Sequence, residues 1–290
     1  MSNKIKGVIL AGGLGSRMYP ANKSFSKHLL SVYDKPMIYY SFSTIMLAGI
    51  KEVLIIGSNE DIKNYTIIFG NGSQIGMKIE YAVQTKPRGI GEAFIIGKKL
   101  IGKKNILLIL GDNIFFGNDF INILKKNIKS SKKCSIFGYY VKDPQRFGIV
   151  KTNSKNKPVK IEEKPKKNIG NIAITGLYYF NNSVVDYIKK IKPSKRGELE
   201  ITSILNIYLK NNNLNLEILG RGFAWFDAGT HDSFLNASNF VSNLQSKQDF
   251  LIACIEEIAF NNKWITVNKL KRLLQKMPSS NYKKYLSKYL

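Results

Sequence analysis

Three features of this sequence predict an α/β protein with a doubly wound, Rossmann-like mixed sheet. The first half alternates short, wholly apolar runs with segments of helical period, the pattern of a parallel sheet covered on both faces. The middle carries strand-like runs with no helix between them, which predicts an inserted subregion of mixed sheet. From about His231 the pattern is mostly helical, which predicts a helical C-terminal extension.

Residues 6–10 form an apolar strand that runs into Ala11-Gly12-Gly13. Residues 37–48 read as a helix with Ile38, Phe42, Ile45 and Met46 on one side, closed by Gly49. A second buried strand covers 52–56, a short helix 61–69 and a strand 77–83. A helix over 90–100 leads to the apolar strand 105–110, which ends at Gly111-Asp112-Asn113. Ligands of such sheets bind beyond the carboxyl ends of the strands, where residues 11–13 and 111–113 both fall. Strands follow over 134–141, 147–152, 159–163 and 172–180, helices over 186–191 and 199–209, and strands again over 215–219 and 222–226. This order predicts one domain over 1–240, divided near residue 130, and an extension over 241–290.

Composition narrows the function classes. With 44% hydrophobic and 22% charged residues, a disordered chain is excluded. The two cysteines, Cys134 and Cys254, form no CxxC, which excludes a disulfide scaffold and a Cys-rich zinc site and suits a reducing cytoplasm. The apolar stretch 7–11 is too short for a signal sequence or a membrane span, so a cytoplasmic protein without a membrane partner is expected. The net charge of +25 has two readings. Lysine, asparagine and isoleucine, all abundant here, are what AT-rich codons encode, so genome drift explains the charge as solvated surface. The alternative is a basic face for nucleic acid or membrane. Only six of the 45 basic residues are arginine, and the lysines form no long block, so no nucleic-acid partner is expected.

The strongest local signal is the run from Leu10 to Pro20, LAGGLGSRMYP, followed by Ser26-Lys27. A strand opens into a turn holding Gly12, Gly13 and Gly15, where backbone N–H groups can approach phosphate oxygens because no Cβ intervenes. Arg17 and Lys27 add positive charge beside it, which disfavours the alternative of a plain tight turn. Two familiar phosphate motifs fail. Met18 stands where a dinucleotide fingerprint needs glycine, and GKKLIGKK at 97–104 lacks the terminal Ser/Thr of a Walker loop and lies between a helix and the next strand. His28 and His231 are not needed as catalytic groups: His28 is expected to pack, and His231 to begin a helix. Cys134 reads as a small core residue, and Trp225 as either a cleft wall or a core residue.

Several stretches in fixed order, among them GVILAGGLGSRMYP, SKHLLSVYDKPMIYY, GDNIFFG, EEKP, ITGLYYF and KPSKRGELEIT, carry a resemblance that runs from Gly7 to about Tyr285. The chain resembles the sugar-1-phosphate nucleotidyltransferases, most closely those that use dTTP and α-D-glucose 1-phosphate to open a dTDP-rhamnose or related deoxysugar route. The resemblance implies that Leu10 and the backbone of Gly12, Gly13, Gly15 and Ser16, with Arg17, hold the nucleotide. It implies that Lys27 approaches the reacting phosphates and that Gln84 and Gly89 read the pyrimidine base. Asp112 and Asp227 would bind Mg²⁺, and with Arg17 and Lys27 they form the catalytic set. Glu163 would hold sugar hydroxyls, Lys164 and Arg196 the sugar phosphate, and Asn113, Gly148, Ile174, Thr175 and Glu198 would complete the sugar pocket. The 131–229 part is then the sugar-binding subregion. A homotetramer is implied, with a regulatory nucleotide-sugar at a subunit interface. Arg221 and Glu256 are candidates there, although Asn118 replaces the family's usual His.

The chemistry accords with that cation set. A phosphate monoester is mostly ionised at neutral pH, since its second pKa is about 6. No general base is required, and the task is to position two polyanions and offset their charge. Some positions depart from the family pattern. Asn22 replaces Thr, Ser31 replaces Pro, Phe147 replaces Tyr, and Phe226 and Ala228 flank Asp227 in place of Leu and Thr. The base-reading loop continues from Pro87 as Arg88-Gly89-Ile90-Gly91-Glu92 instead of Asp-Gly-Leu-Ala-Gln. Rival readings are the same chemistry with UTP or another sugar phosphate, and a non-catalytic nucleotide-sugar-binding regulator.

Overall fold

The computed structural model describes residues 4–13, 15–130 and 133–290. Strand β1 (Ile5–Leu10) is followed by the short pair β2 (Ser31–Val32) and β3 (Lys35–Pro36), helix α1 (Ile38–Leu47), β4 (Glu52–Gly57), α2 (Asn59–Phe69) and β5 (Lys78–Val83). Next come α3 (Glu92–Ile96), α4 (Lys98–Ile101), β6 (Asn105–Leu110), β7 (Asn113–Gly117), α5 (Phe120–Ser130), β8 (Cys134–Tyr140), β9 (Gly148–Thr152), β10 (Pro158–Glu163) and β11 (Ile172–Phe180). The chain closes with α6 (Val184–Tyr187), α7 (Ile201–Lys210), β12 (Leu214–Ile218), β13 (Phe223–Asp227), α8 (His231–Lys247), α9 (Ile255–Asn261), α10 (Val267–Lys276) and α11 (Asn281–Leu286).

Nine strands form one mixed sheet, ordered β10-β9-β11-β6-β1-β4-β5, with β8 on β11 and β12 on β8. The strands β6, β1, β4 and β5 run parallel. The long strand β11 joins the halves: it pairs antiparallel with β6, Leu177 opposite Ile109, and with β8 and β9. The predicted mixed-sheet subregion therefore continues the parallel sheet.

Alternation sorts the side chains of β1, β4 and β6 onto two faces. Ile5, Ile9, Val53, Ile55, Leu107 and Ile109 join one core, packed against α1, α9 and α10. Val8, Leu10, Leu54, Ile56, Ile106 and Leu108 join a second core, which holds Phe94, Val184 and Leu205 from the helices of the other face. The C-terminal helices are built into the first core through Ile255, Ala259, Leu270, Leu274 and Leu286. At Gly7 a Cβ would stand 2.5 Å from the Ile45 side chain, so the glycine admits α1 close onto β1.

Three elements differ from the sequence expectation. The 90–100 helix divides at Gly97, where a Cβ would lie 2.9 Å from Leu54 on the sheet. The sequence reading assigns nothing between Asn113 and Cys134, yet β7 and α5 lie there. The α5 signal is present as Phe120, Ile123, Leu124 and Ile128 at helical spacing. Strand β7 leaves the main sheet and, among the described residues, pairs only with β13, 106 residues away in sequence between Gly117 and Phe223, a partnership set by tertiary register.

Candidate active site

The carboxyl ends of β1, β5 and β6 deliver Leu10, Gln84 and Asp112 to one cleft. Leu10, Gly12, Lys27, Gln84, Gly89 and Asp112 line its first cavity, of about 190 Å³. A second cavity, of about 260 Å³, holds Arg17, Asn113, Gly148, Glu163, Lys164, Ile174, Arg196 and Asp227. Gly89, Ile90, Leu110, Asp112 and Glu198 line both, so the two cavities adjoin.

The glycine loop takes the backbone course expected of it. Gly13 and Gly15 have φ of 142° and 57°, the region that favours glycine. Gly15 precedes the 3₁₀ turn Ser16–Met18. Asn22, the departure from the family's Thr, donates from Nδ2 to the Gly15 carbonyl at 3.1 Å. Gly13, Gly15 and Ser16 belong to this loop but to the wall of neither cavity.

Lys27 follows the N-cap Ser26 of another 3₁₀ turn and donates to a carboxylate oxygen of buried Asp112. Burial pushes the Asp112 carboxyl up. The Lys27 charge and the hydrogen bonds from Lys27 and Asn113 outweigh it and hold that carboxyl far below the ordinary range. His28 also lines the first cavity, but it is buried: its Nδ1 lies 2.9 Å from Ser26 Oγ and its ring packs under Gly111. Burial, with the neighbouring Lys27 charge, pushes its pKa down to about 3, so it is a neutral packing residue as expected. His231 begins α8 behind the capping box of Thr230 and Ser233, also as expected.

The β7–β13 pair sets Asp227 opposite Asn113, and Ala228 N donates to the Asp112 carbonyl at 3.0 Å. Burial, then the Asp112 charge, raises the Asp227 carboxyl, with Arg17 and Lys27 opposing. Arg17 and Asp227 both flank Gly229, where a Cβ would lie 2.7 Å from the guanidinium and 3.1 Å from Oδ1. Asn113 Oδ1 accepts from Gly176 N at 3.0 Å and Trp225 Nε1 at 2.7 Å. Trp225 thus lines the cleft and also packs at a tilt against Phe147, ring centroids 5.3 Å apart.

Among the described residues no group of three or more His, Cys, Asp or Glu side chains forms a metal cage. Two carboxylates near each other, with their remaining partners left to phosphate oxygens and water, match the donor set that Mg²⁺ takes. A cation between them would relieve the repulsion that raises Asp227.

On the far side, Glu163 ends β10 opposite Gly148 of β9. Lys164 follows with φ of 45°, strained for a side-chain-bearing residue, and is tied back by its N–H to the Phe147 carbonyl at 3.0 Å. Arg196 is ringed by carboxylates: Glu200 at 2.9 Å, Glu198 at 3.3 Å and Glu163 at 3.6 Å. Burial and Glu200 push the Glu163 carboxyl up against the pull of Arg196 and Lys164. Thr175 is not in the cavity wall. It is buried on the opposite side of β11, its hydroxyl donating to the Phe137 carbonyl at 2.9 Å, and its neighbours Ile174 and Gly176 face the cavity.

The sequence reading missed Glu200, Arg146, Tyr178 and Thr202, which line the second cavity. It also gave no role to Glu92, whose carboxylate meets Gln84. The available signal for Glu92 was an acidic residue opening a helix directly after a glycine-rich loop.

The family model described as nucleotidyl transferase matches residues 6–243. A glucose-1-phosphate thymidylyltransferase of Neisseria meningitidis is 47% identical over 286 residues, 99% of each chain. One of Mycobacterium tuberculosis is 40% identical, again over 99% of each chain. A crystal structure from Bacillus anthracis, assigned as a glucose-1-phosphate thymidylyltransferase and solved with sucrose, superposes with a TM-score of 0.75 at 38% identity. It covers 81% of this chain and 94% of that one. A UDP-glucose pyrophosphorylase complexed with UDP-glucose has a TM-score of 0.74 at 21% identity, over 84% of this chain and 99% of that one, and so shares the fold.

Proposed function

The chain belongs to the nucleotidyl transferase family, and on that premise we propose that it joins dTTP to α-D-glucose 1-phosphate, releasing pyrophosphate and forming dTDP-glucose. The observation that carries the reading is the pair of adjoining cavities with Asp112 in the wall of both. One is walled by Gly12, Lys27 and Gln84, the other by Lys164, Arg196 and Glu163.

The reaction is an in-line displacement at the α-phosphorus by a phosphate oxygen of the sugar 1-phosphate. That oxygen is already ionised at neutral pH, which accords with a cleft whose buried His28 is neutral. Lys27 in the first cavity, and Arg17, Lys164 and Arg196 in the second, offset the charge of the two substrates. Asp112 and Asp227 would hold Mg²⁺, which when bound neutralises charge on the α-phosphoryl group and the leaving pyrophosphate. Lys27 neutralises Asp112 in the ligand-free protein and has a second partner once phosphate enters.

The reading includes a cytoplasmic homotetramer. No helix among the described residues is long and apolar enough to cross a membrane, and both cysteines are free and buried. It also includes a regulatory nucleotide-sugar site. A cavity of about 980 Å³ contains Asn118 and Glu257, whereas Glu256 is turned into the core against Tyr282 and Arg221 lies outside that cavity.

The test is pyrophosphate release with four nucleoside triphosphates against several sugar 1-phosphates. The expected result is fastest release with dTTP and glucose 1-phosphate, dependent on Mg²⁺. No release with any pair would overturn the enzyme, and preference for UTP would overturn the thymidylyl assignment.

A further inference from the structure

We infer that Glu92 sets base selectivity, by locking the Gln84 carboxamide in the orientation that accepts thymine or uracil and rejects cytosine. The inference rests on the reading that the first cavity takes a pyrimidine nucleoside triphosphate.

Gln84 follows β5, is 5% exposed, and lines that cavity. Its backbone is fixed by the bond from its N–H to the Gly57 carbonyl at 2.7 Å. Its Nε2 donates to Glu92 Oε2 at 2.8 Å. The same oxygen accepts the Arg88 N–H at 3.2 Å, so Glu92 also pins the loop that carries Gly89. That loop is held on its other flank, where Leu199 N donates to the Arg88 carbonyl at 2.7 Å and Gly91 N to the Leu199 carbonyl at 2.9 Å.

A carboxamide can turn over and exchange its donor and acceptor ends, but an ionised carboxylate only accepts. Glu92 can therefore be met by Nε2 and not by Oε1. A flipped Gln84 would set two acceptors face to face and leave both unpaired, at the cost of a lost buried hydrogen bond. With the flip forbidden, Oε1 is the fixed acceptor. It lies 2.5 Å from where a Cβ on Gly12 would stand, so glycine at 12 is what leaves it room. No donor among the described residues engages Oε1.

An acceptor beside the remaining Nε2–H complements the N3–H donor and the neighbouring carbonyl of thymine and uracil. Cytosine offers the opposite pattern, an N3 acceptor beside an amino donor, and would need the flipped amide. Sites built on such a hydrogen bond discriminate strongly, because the wrong base leaves buried groups unpaired. Glu92 is thus a positioning residue that acts through Gln84.

The test measures equilibrium binding of dTTP, UTP and dCTP to the full-length protein by calorimetry, for wild type, Glu92→Lys, Glu92→Gln and Glu92→Asp. Wild type is expected to favour dTTP over dCTP by roughly 10²-fold or more. Glu92→Lys replaces the acceptor by a group that only donates, so Gln84 can turn Oε1 to it and the dTTP-to-dCTP ratio should fall about tenfold or more, with dCTP tightening. Glu92→Asp keeps an acceptor-only group, and Glu92→Gln keeps an amide oxygen on the Arg88 N–H; both should retain most of the ratio. An unchanged ratio in Glu92→Lys overturns the inference, as does an equal loss for all three nucleotides, the signature of a merely structural residue. If Glu92→Lys does not fold, Glu92→Ala carries the same comparison. Wild type that binds no pyrimidine triphosphate would sink the reading of the cavity. Wild type that selects thymine, with a Glu92→Lys variant that selects it equally, would sink the Glu92 inference alone.

Discussion

On the side of the cleft proposed for the nucleotide, Lys27 meets one buried carboxylate, Asp112. On the side proposed for the sugar, Arg196 meets three: Glu163, Glu198 and Glu200. The first pair sits where parallel strands end, and both partners are about one-tenth exposed. The second cluster is more open, with the Arg196 side chain 40% exposed, and is assembled from β10 and the segment before α7. The difference concerns the state each side occupies before substrate arrives. The nucleotide side is a neutralised pair that phosphate and a cation can divide between them. The sugar side is acidic around one guanidinium, so an incoming sugar phosphate must compete with carboxylates already in place. Carboxylates suit sugar hydroxyls, and the same groups aim the arginine proposed to take the phosphate.

The contrast can be broken at its strongest point first. Asp112→Asn should reduce pyrophosphate release about 10³-fold or more, with far-UV circular dichroism unchanged. Retained activity would remove the metal role proposed for Asp112. Arg196→Ala should raise KM for glucose 1-phosphate roughly 10–100-fold, the effect of losing a charge-assisted anchor, and leave KM for dTTP within about twofold. Equal changes in both constants would mean that the two sides do not divide the substrates.

A third expectation concerns stability on the nucleotide side. His28 has a folded pKa of about 3, below its ordinary 6.5, because it is buried beside Lys27. The unfolded chain therefore binds the extra proton. The contribution is fully present above about 6.5 and is lost as pH falls toward 3, at roughly 1.4 kcal/mol per unit. Urea melts from pH 7 to pH 4 should show this slope, and His28→Gln should flatten it. The smallest effect belongs to the sugar side. Glu200→Gln removes the charge of the carboxylate that holds Arg196 by two oxygens at 2.9 Å each. KM for glucose 1-phosphate should rise about three- to tenfold, through misdirection of Arg196. A lowered KM would show that Glu200 restrains Arg196 from the phosphate.

The parallel half was legible in the sequence because its signals are local. Apolar runs at 6–10, 52–56 and 105–110 have strand length, glycines mark their ends, and Gly12 and Asp112 lie just past the first and last of them. The division of the 90–100 helix at Gly97 was not legible, because close approach to Leu54 sets it. Strand β7 was missed for a related reason: NIFFG follows a turn directly and gains its partner only from β13. The helix α5 had a readable period and was missed all the same.

By itself the sequence determined the α/β class, the phosphate-type glycine turn and the residues that offer charge to it, since strand length, helical period and turn chemistry are properties of neighbouring residues. Tertiary structure decided which of those residues meet. Asp227 comes to Asn113 through the β7–β13 register, Arg196 to three carboxylates, and Glu92 to Gln84. Thr175 turned away for the same kind of reason: alternation along β11 gives the cleft to Ile174 and Gly176 and the core to the residue between them. Pairing and facing are contacts across the fold, and no run of adjacent residues encodes them alone.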